Sequence, residues 1–153
     1  MSIKLPRVMP VVAALLLLVV IAIFPACSAK STLSGTLLNG QNIFTKGIDS
    51  TGVVVKNNSY MMMGRNVACA DCHGQQGHGG TVTIMMGRYD VPNITWAVLT
   101  GLDFNPPFNV DTVKRAIAQG LDESGEKLKA PMPQWTMSEQ DLADLVSYIQ
   151  TLK

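Results

Sequence analysis

The stretch NVACADCHGQQGHGGTV, residues 66–82, sets two thiols three positions apart, an imidazole directly after the second, and a glycine-rich tail carrying another histidine. Cys-x-x-Cys alone is compatible with a redox dithiol or half of a zinc site. The adjoining His73 changes the reading to covalent attachment of a c-type haem. Cys69 and Cys72 can each add to one haem vinyl group, and the imidazole of His73 then lies under the iron as proximal ligand. A zinc site needs two further ligands, and only Cys27 and His78 remain in the chain. Cys27 falls in an N-terminal export segment, and His78 is close to His73 in a glycine loop.

Thioether attachment belongs to compartments outside the bacterial cytoplasmic membrane, and the N-terminus meets that demand. Lys4 and Arg7 form a basic region, Val8 to Phe24 is apolar, and small residues surround Ala26, Cys27, Ser28 and Ala29. This is the pattern of an export signal. The run FPAC, ending at Cys27, resembles a bacterial lipobox, in which Cys27 is acylated and becomes the mature N-terminus, although Phe24 is not the usual residue there. Cleavage near Ser28–Ala29 and retention as an uncleaved anchor are the alternatives. The reading is a signal or anchor over 1–27, a polar linker over 28–38, and one domain over 39–153.

With Lys4 and Arg7 set aside, 10 basic side chains face 11 acidic ones. No basic field points to nucleic acid. If Cys27 is lipidated, no cysteine pair is left for a disulfide, so the fold rests on its core and on the tethered macrocycle, which supplies apolar filling that a small domain lacks.

Residues 31–60 read as a polar tether, a short helix near Asn39–Lys46, and a loop or hairpin rich in Gly, Asn and Ser. Turn punctuation at DVPNIT and NPPF precedes NVDTVKRAIAQG. There Asn109 caps a helix, Val113, Ala116 and Ile117 share a face, and Gly120 stops it. In SEQDLADLVSYIQTLK, Ser138 accepts from the Asp141 amide, and Leu142, Leu145, Val146, Ile149 and Leu152 form one apolar stripe. These elements predict an all-α domain.

The sixth iron position decides between electron transfer and ligand chemistry. His78 and seven methionines after the export segment are available: Met61, Met62, Met63, Met85, Met86, Met132 and Met137. Met132 is the best placed, because Pro131 and Pro133 stiffen the backbone on either side and a capped helix follows. His78 reads as a solvent-facing loop residue. Met61–Met63 read as apolar filler against the macrocycle, since a copper site wants more thioethers or histidines nearby.

With CADCHG early and MPQWTMSEQDLADLVSYIQTL at the end, the chain resembles a class I monohaem c-type cytochrome from about Gly40 to Lys153. The order of helix, haem motif, PNIT, helix ending in Gly120, Met-Pro loop and terminal helix carries the likeness. The resemblance implies one covalent haem c, with His73 and Met132 as iron ligands. It also implies a Pro92 carbonyl accepting from His73 Nδ1–H, and Phe44 meeting the last helix near Tyr148. Trp135 packs near the haem edge, donates toward a propionate, or is a plain core aromatic. One departure stands out, since some twenty residues separate Phe44 from Cys69 where the family runs almost directly into the motif.

The function implied is one-electron transfer in the periplasm or at the membrane surface, between redox protein partners. A cytochrome subunit of a membrane oxidoreductase complex is the main alternative, and a ligand-binding haem sensor or peroxidase is a third. Lys114, Arg115, Lys127 and Lys129, near the methionine loop, are candidates to steer an acidic partner, against the plainer reading of a solvated face.

Overall fold

A computed structural model describes residues 34–58 and 66–153 of the chain. The export segment, Cys27 and the Met61–Met63 run lie outside the described residues. Helix α1 (Gly35–Lys46) starts at Ser34, whose side chain accepts from the Leu37 amide, and stops at Gly47 in the left-handed region. It thus begins a turn earlier than the sequence pattern around Asn39 suggested, in a span read as polar linker.

α1 crosses α5 (Glu139–Ile149), and this is the most extensive contact between elements. The two backbones can approach because position 40 has no side chain: a Cβ on Gly40 would sit 2.1 Å from the Asp144 carbonyl oxygen. Ile43, Phe44, Leu145 and Val146 are completely buried at the crossing, and the rings of Phe44 and Tyr148 lie 5.4 Å apart. Burying four such side chains contributes roughly 1.5–3 kcal/mol each. Asn39 adds a polar pin, donating from Nδ2 to Asp141 Oδ1 at 2.9 Å and to the buried Asp144 Oδ2 at 2.8 Å.

α2 (Cys69–His73), α3 (Trp96–Leu99) and α4 (Val110–Gln119) complete the helices among the described residues. α4 is capped by Asn109, which accepts from the Thr112 amide, and ends at Gly120 with φ 67°. Val113, Ala116 and Ile117 turn inward together. In α5, Ser138 Oγ accepts from the Asp141 amide at 3.1 Å, and the stripe Leu142, Leu145, Val146, Ile149 and Leu152 is buried.

The domain is not all-α. β2 (Gly80–Ile84) and β3 (Gly87–Val91) form an antiparallel hairpin in which Val82 faces Tyr89 and Thr83 faces Arg88. Its cause is the run of β-branched residues Thr81, Val82, Thr83 and Ile84, closed by Met85 and Met86. Met85 takes a positive φ of 55°, a conformation that the usual Asn-Gly hairpin signal would have announced and methionine does not. A second short pair joins β1 (Lys56–Asn57) to β4 (Trp135–Thr136), with Lys56 opposite Thr136 and Asn57 opposite Trp135. No helix among the described residues is long and apolar enough to cross a membrane.

Candidate functional site

Helical spacing explains the first wall. Cys69, Cys72 and His73 stand at i, i+3 and i+4 of α2 and so share one face, while Ala70 turns into the core and Asp71 to solvent. Asp71 Oδ2 accepts from the Ala68 amide at 2.9 Å and fixes the start of the turn, and Gly74 ends it. The glycine tail then answers a steric problem. Gly79 has φ 70°, its amide donates to the His73 carbonyl at 2.9 Å, and a Cβ there would meet the Val91 carbonyl oxygen at 2.3 Å. Only glycine lets β3 come in so close.

That approach brings the Pro92 carbonyl to the imidazole: His73 Nδ1–H donates to it at 3.1 Å. The ring is thereby oriented, and Nε2 has no hydrogen-bond partner among the described residues. Burial lowers the imidazole's affinity for a proton, against the opposing pull of the Pro92 carbonyl, so the neutral ring that binds a metal is favoured.

The thiols sit in surroundings hostile to thiolate. Burial pushes Cys69 up to about 12, with Cys72 and Asp71 adding repulsion, and burial followed by Asp71 raises Cys72. A redox dithiol needs a lowered thiol pKa, so the pair lacks the electrostatics of that chemistry. Among the described residues no group of three or more His, Cys, Asp or Glu side chains could hold a metal ion.

The opposite wall comes from the chain between α4 and α5. Leu128 donates its amide to the Gly120 carbonyl at 2.8 Å, closing a loop in which Asp122 Oδ1 accepts from the Ser124 and Glu126 amides. Arg115 reaches over from α4 and donates from Nη2 to the carbonyls of Asp122, at 2.7 Å, and Glu123, at 3.1 Å. It is half-buried and committed to backbone, not displayed beside Lys114, Lys127 and Lys129 as the sequence suggested. Pro131, Met132 and Pro133 follow, with Met132 half-buried and Trp135 buried.

Between the walls lies a cavity of about 870 Å³. Cys69, Cys72, His73, Pro92, Met132 and Trp135 all line it. His78 does not; it is exposed, and its Nε2 lies 2.7 Å from the Lys153 carbonyl oxygen. Sequence reasoning missed Phe104 and Phe108, whose rings meet edge to face at 4.9 Å and line the cavity, because NPPF read only as a turn. It also missed Arg88 and Tyr89, which the hairpin brings to the lining.

A family model described as Cytochrome c matches residues 39–153. The chain belongs to the cytochrome c family. No curated protein and no solved structure matched the chain. The family's chemistry is haem-based electron transfer and its cofactor is haem c, held covalently with its iron; Cys69, Cys72 and His73 supply the Cys-x-x-Cys-His motif. The residues fit the group: the cavity has the size of a small-molecule pocket, its walls are mainly apolar, and the two thiols and a carbonyl-oriented imidazole share one side of it.

Proposed function

We propose that the domain is an exported one-electron carrier whose haem iron is held between His73 Nε2 and Met132 Sδ. When bound, the haem supplies a one-electron couple, and methionine opposite histidine raises its potential. The observation that carries the reading is that His73, oriented by Pro92, and Met132, flanked by two prolines, line one cavity. The chain's own task is then to keep coordination unchanged between oxidation states. Pro92 fixes the imidazole, Pro131 and Pro133 stiffen the thioether's backbone, and Phe104, Phe108 and Trp135 exclude water.

Retention at the periplasmic membrane surface, through acylated Cys27 or an uncleaved anchor, and redox protein partners, as free shuttle or as subunit of a membrane oxidoreductase, belong to the same proposal. Lys127 and Lys129 at the cavity rim are the candidate contacts for an acidic partner, on a lining that also carries Asp122, Glu123 and Glu126. The decisive experiment is optical. Oxidised wild-type protein shows the weak far-red sulfur-to-iron band, and Met132→Ala loses it and admits carbon monoxide to the ferrous iron. A wild type that binds carbon monoxide readily and lacks the band overturns the ligation and the carrier role with it.

A further inference from the structure

Met132 sits in a short span that is tied to the rest of the domain at its two ends. Pro131 and Pro133 have no amide hydrogen, and beyond the local turn at Ala130 and Pro131 no hydrogen bond among the described residues joins the backbone of residues 129–133 to another part of the chain. The span hangs between two anchors. The first is the Leu128 amide on the Gly120 carbonyl, 2.8 Å, at the end of α4. The second is Gln134, two residues beyond Met132.

Gln134 meets Asn58 at the end of the β1–β4 pair, and each residue uses backbone and side chain on the other. The Asn58 amide donates to the Gln134 carbonyl at 3.1 Å, Asn58 Nδ2 donates to Gln134 Oε1 at 3.0 Å, and the Gln134 amide donates to Asn58 Oδ1 at 2.8 Å. Gln134 Nε2 donates in addition to the Gln119 carbonyl at 2.9 Å. One side chain thus joins the stretch after α1, the end of α4 and the methionine span. Asn58 belongs to the long stretch between Phe44 and Cys69 that departs from the family pattern, so this stretch has an identifiable structural task.

Both residues are exposed, so removing either side chain neither opens a cavity nor strands a buried polar group. Their bonds act on the span they terminate. We propose that Asn58 and Gln134 are positioning residues for Met132, fixing the far end of its span so that the thioether stays on the iron. The inference rests on the proposed His73/Met132 ligation.

The test uses the haem-loaded protein and two readouts: carbon monoxide association with the ferrous form, and the temperature at which the far-red band of the oxidised form disappears. Asn58→Ala and Gln134→Ala bind carbon monoxide on the order of tenfold faster than wild type, the effect of losing one to two net hydrogen bonds at the span. They lose the band well below their unfolding temperature. Asn58→Asp keeps the acceptor for the Gln134 amide and falls between. Asn109→Ala, which removes the α4 cap, lowers the unfolding temperature without faster carbon monoxide binding. If wild type has the band but both alanine variants bind carbon monoxide at the wild-type rate, or if Asn109→Ala matches them, the positioning role is refuted while the ligation stands. If wild type itself lacks the band, the ligation fails and the positioning role with it.

Discussion

On the His73 side of the cavity, the thiols, the imidazole and the carbonyl that orients it all fall between Cys69 and Pro92, and one glycine-permitted approach at Gly79 assembles them. On the Met132 side, the span is tied to the rest of the domain only at its ends, and its second anchor, Gln134, is held by Asn58, 76 residues earlier in the chain. Chemistry that must be covalent and permanent is built from local sequence, where loop closure costs least entropy. The side that must hold a removable thioether is assembled from distant pieces joined by a few exposed hydrogen bonds. The first side is therefore sensitive to backbone sterics, and the second to polar contacts that barely affect global stability.

The largest expected contrast is all-or-none. Replacing both Cys69 and Cys72 by Ala frees the haem from the polypeptide on a denaturing gel stained for haem, whereas Met132→Ala retains full colour in the band. Colour retained by the double-alanine protein would break the assignment of permanence to the His73 side.

A smaller effect compares one residue from each side. In Gly79→Ala, a residue with a Cβ is forced to φ 70° against backbone oxygens of Val91 and Pro92, at 2.3 and 2.5 Å. Strain and displacement together cost on the order of 2–4 kcal/mol. Gln134→Ala, at an exposed position, costs no more than about 1 kcal/mol. Denaturant unfolding monitored by circular dichroism checks both, through the midpoint at constant slope. Equal losses would show that the two sides are not built differently after all.

The same division decides what could be read from the sequence. The haem motif, the Asn109 and Ser138 caps and the stripes of α4 and α5 were legible because helical periodicity and side-chain caps are local patterns. The approach of Phe44 to Tyr148 came from family resemblance, not from periodicity. The β2–β3 hairpin was not legible, because its strands are short and its turn carries two methionines in place of Asn-Gly. Phe104 and Phe108 were hidden in a proline-rich turn whose ring pairing exists only in three dimensions. The Asn58–Gln134 anchor joins two polar residues with no periodic signature, and Arg115 read as a surface charge because nothing in α4 announces the carbonyls it reaches.

The smallest effect comes from the second histidine of the opening stretch. His73 and His78 are close in sequence, yet one is buried with its ring bonded to Pro92 and the other is exposed with Nε2 on the Lys153 carbonyl. The tight turns at Gly74 and Gly77, both with positive φ, separate them: the chain leaves the cavity wall at His73 and returns to it only at Arg88. Reaching the open side of the cavity from position 78 would require unmaking the Gly77 carbonyl's bond to the Ile94 amide, 2.7 Å, and the Gly79 amide's bond to His73. His78→Ala therefore removes one exposed hydrogen bond, about 0.5–1.5 kcal/mol at most, and leaves both the far-red band and the midpoint potential at their wild-type values. A low-spin spectrum erased by His78→Ala would move the removable ligand from the Met132 side to the glycine loop, and both walls would then be local.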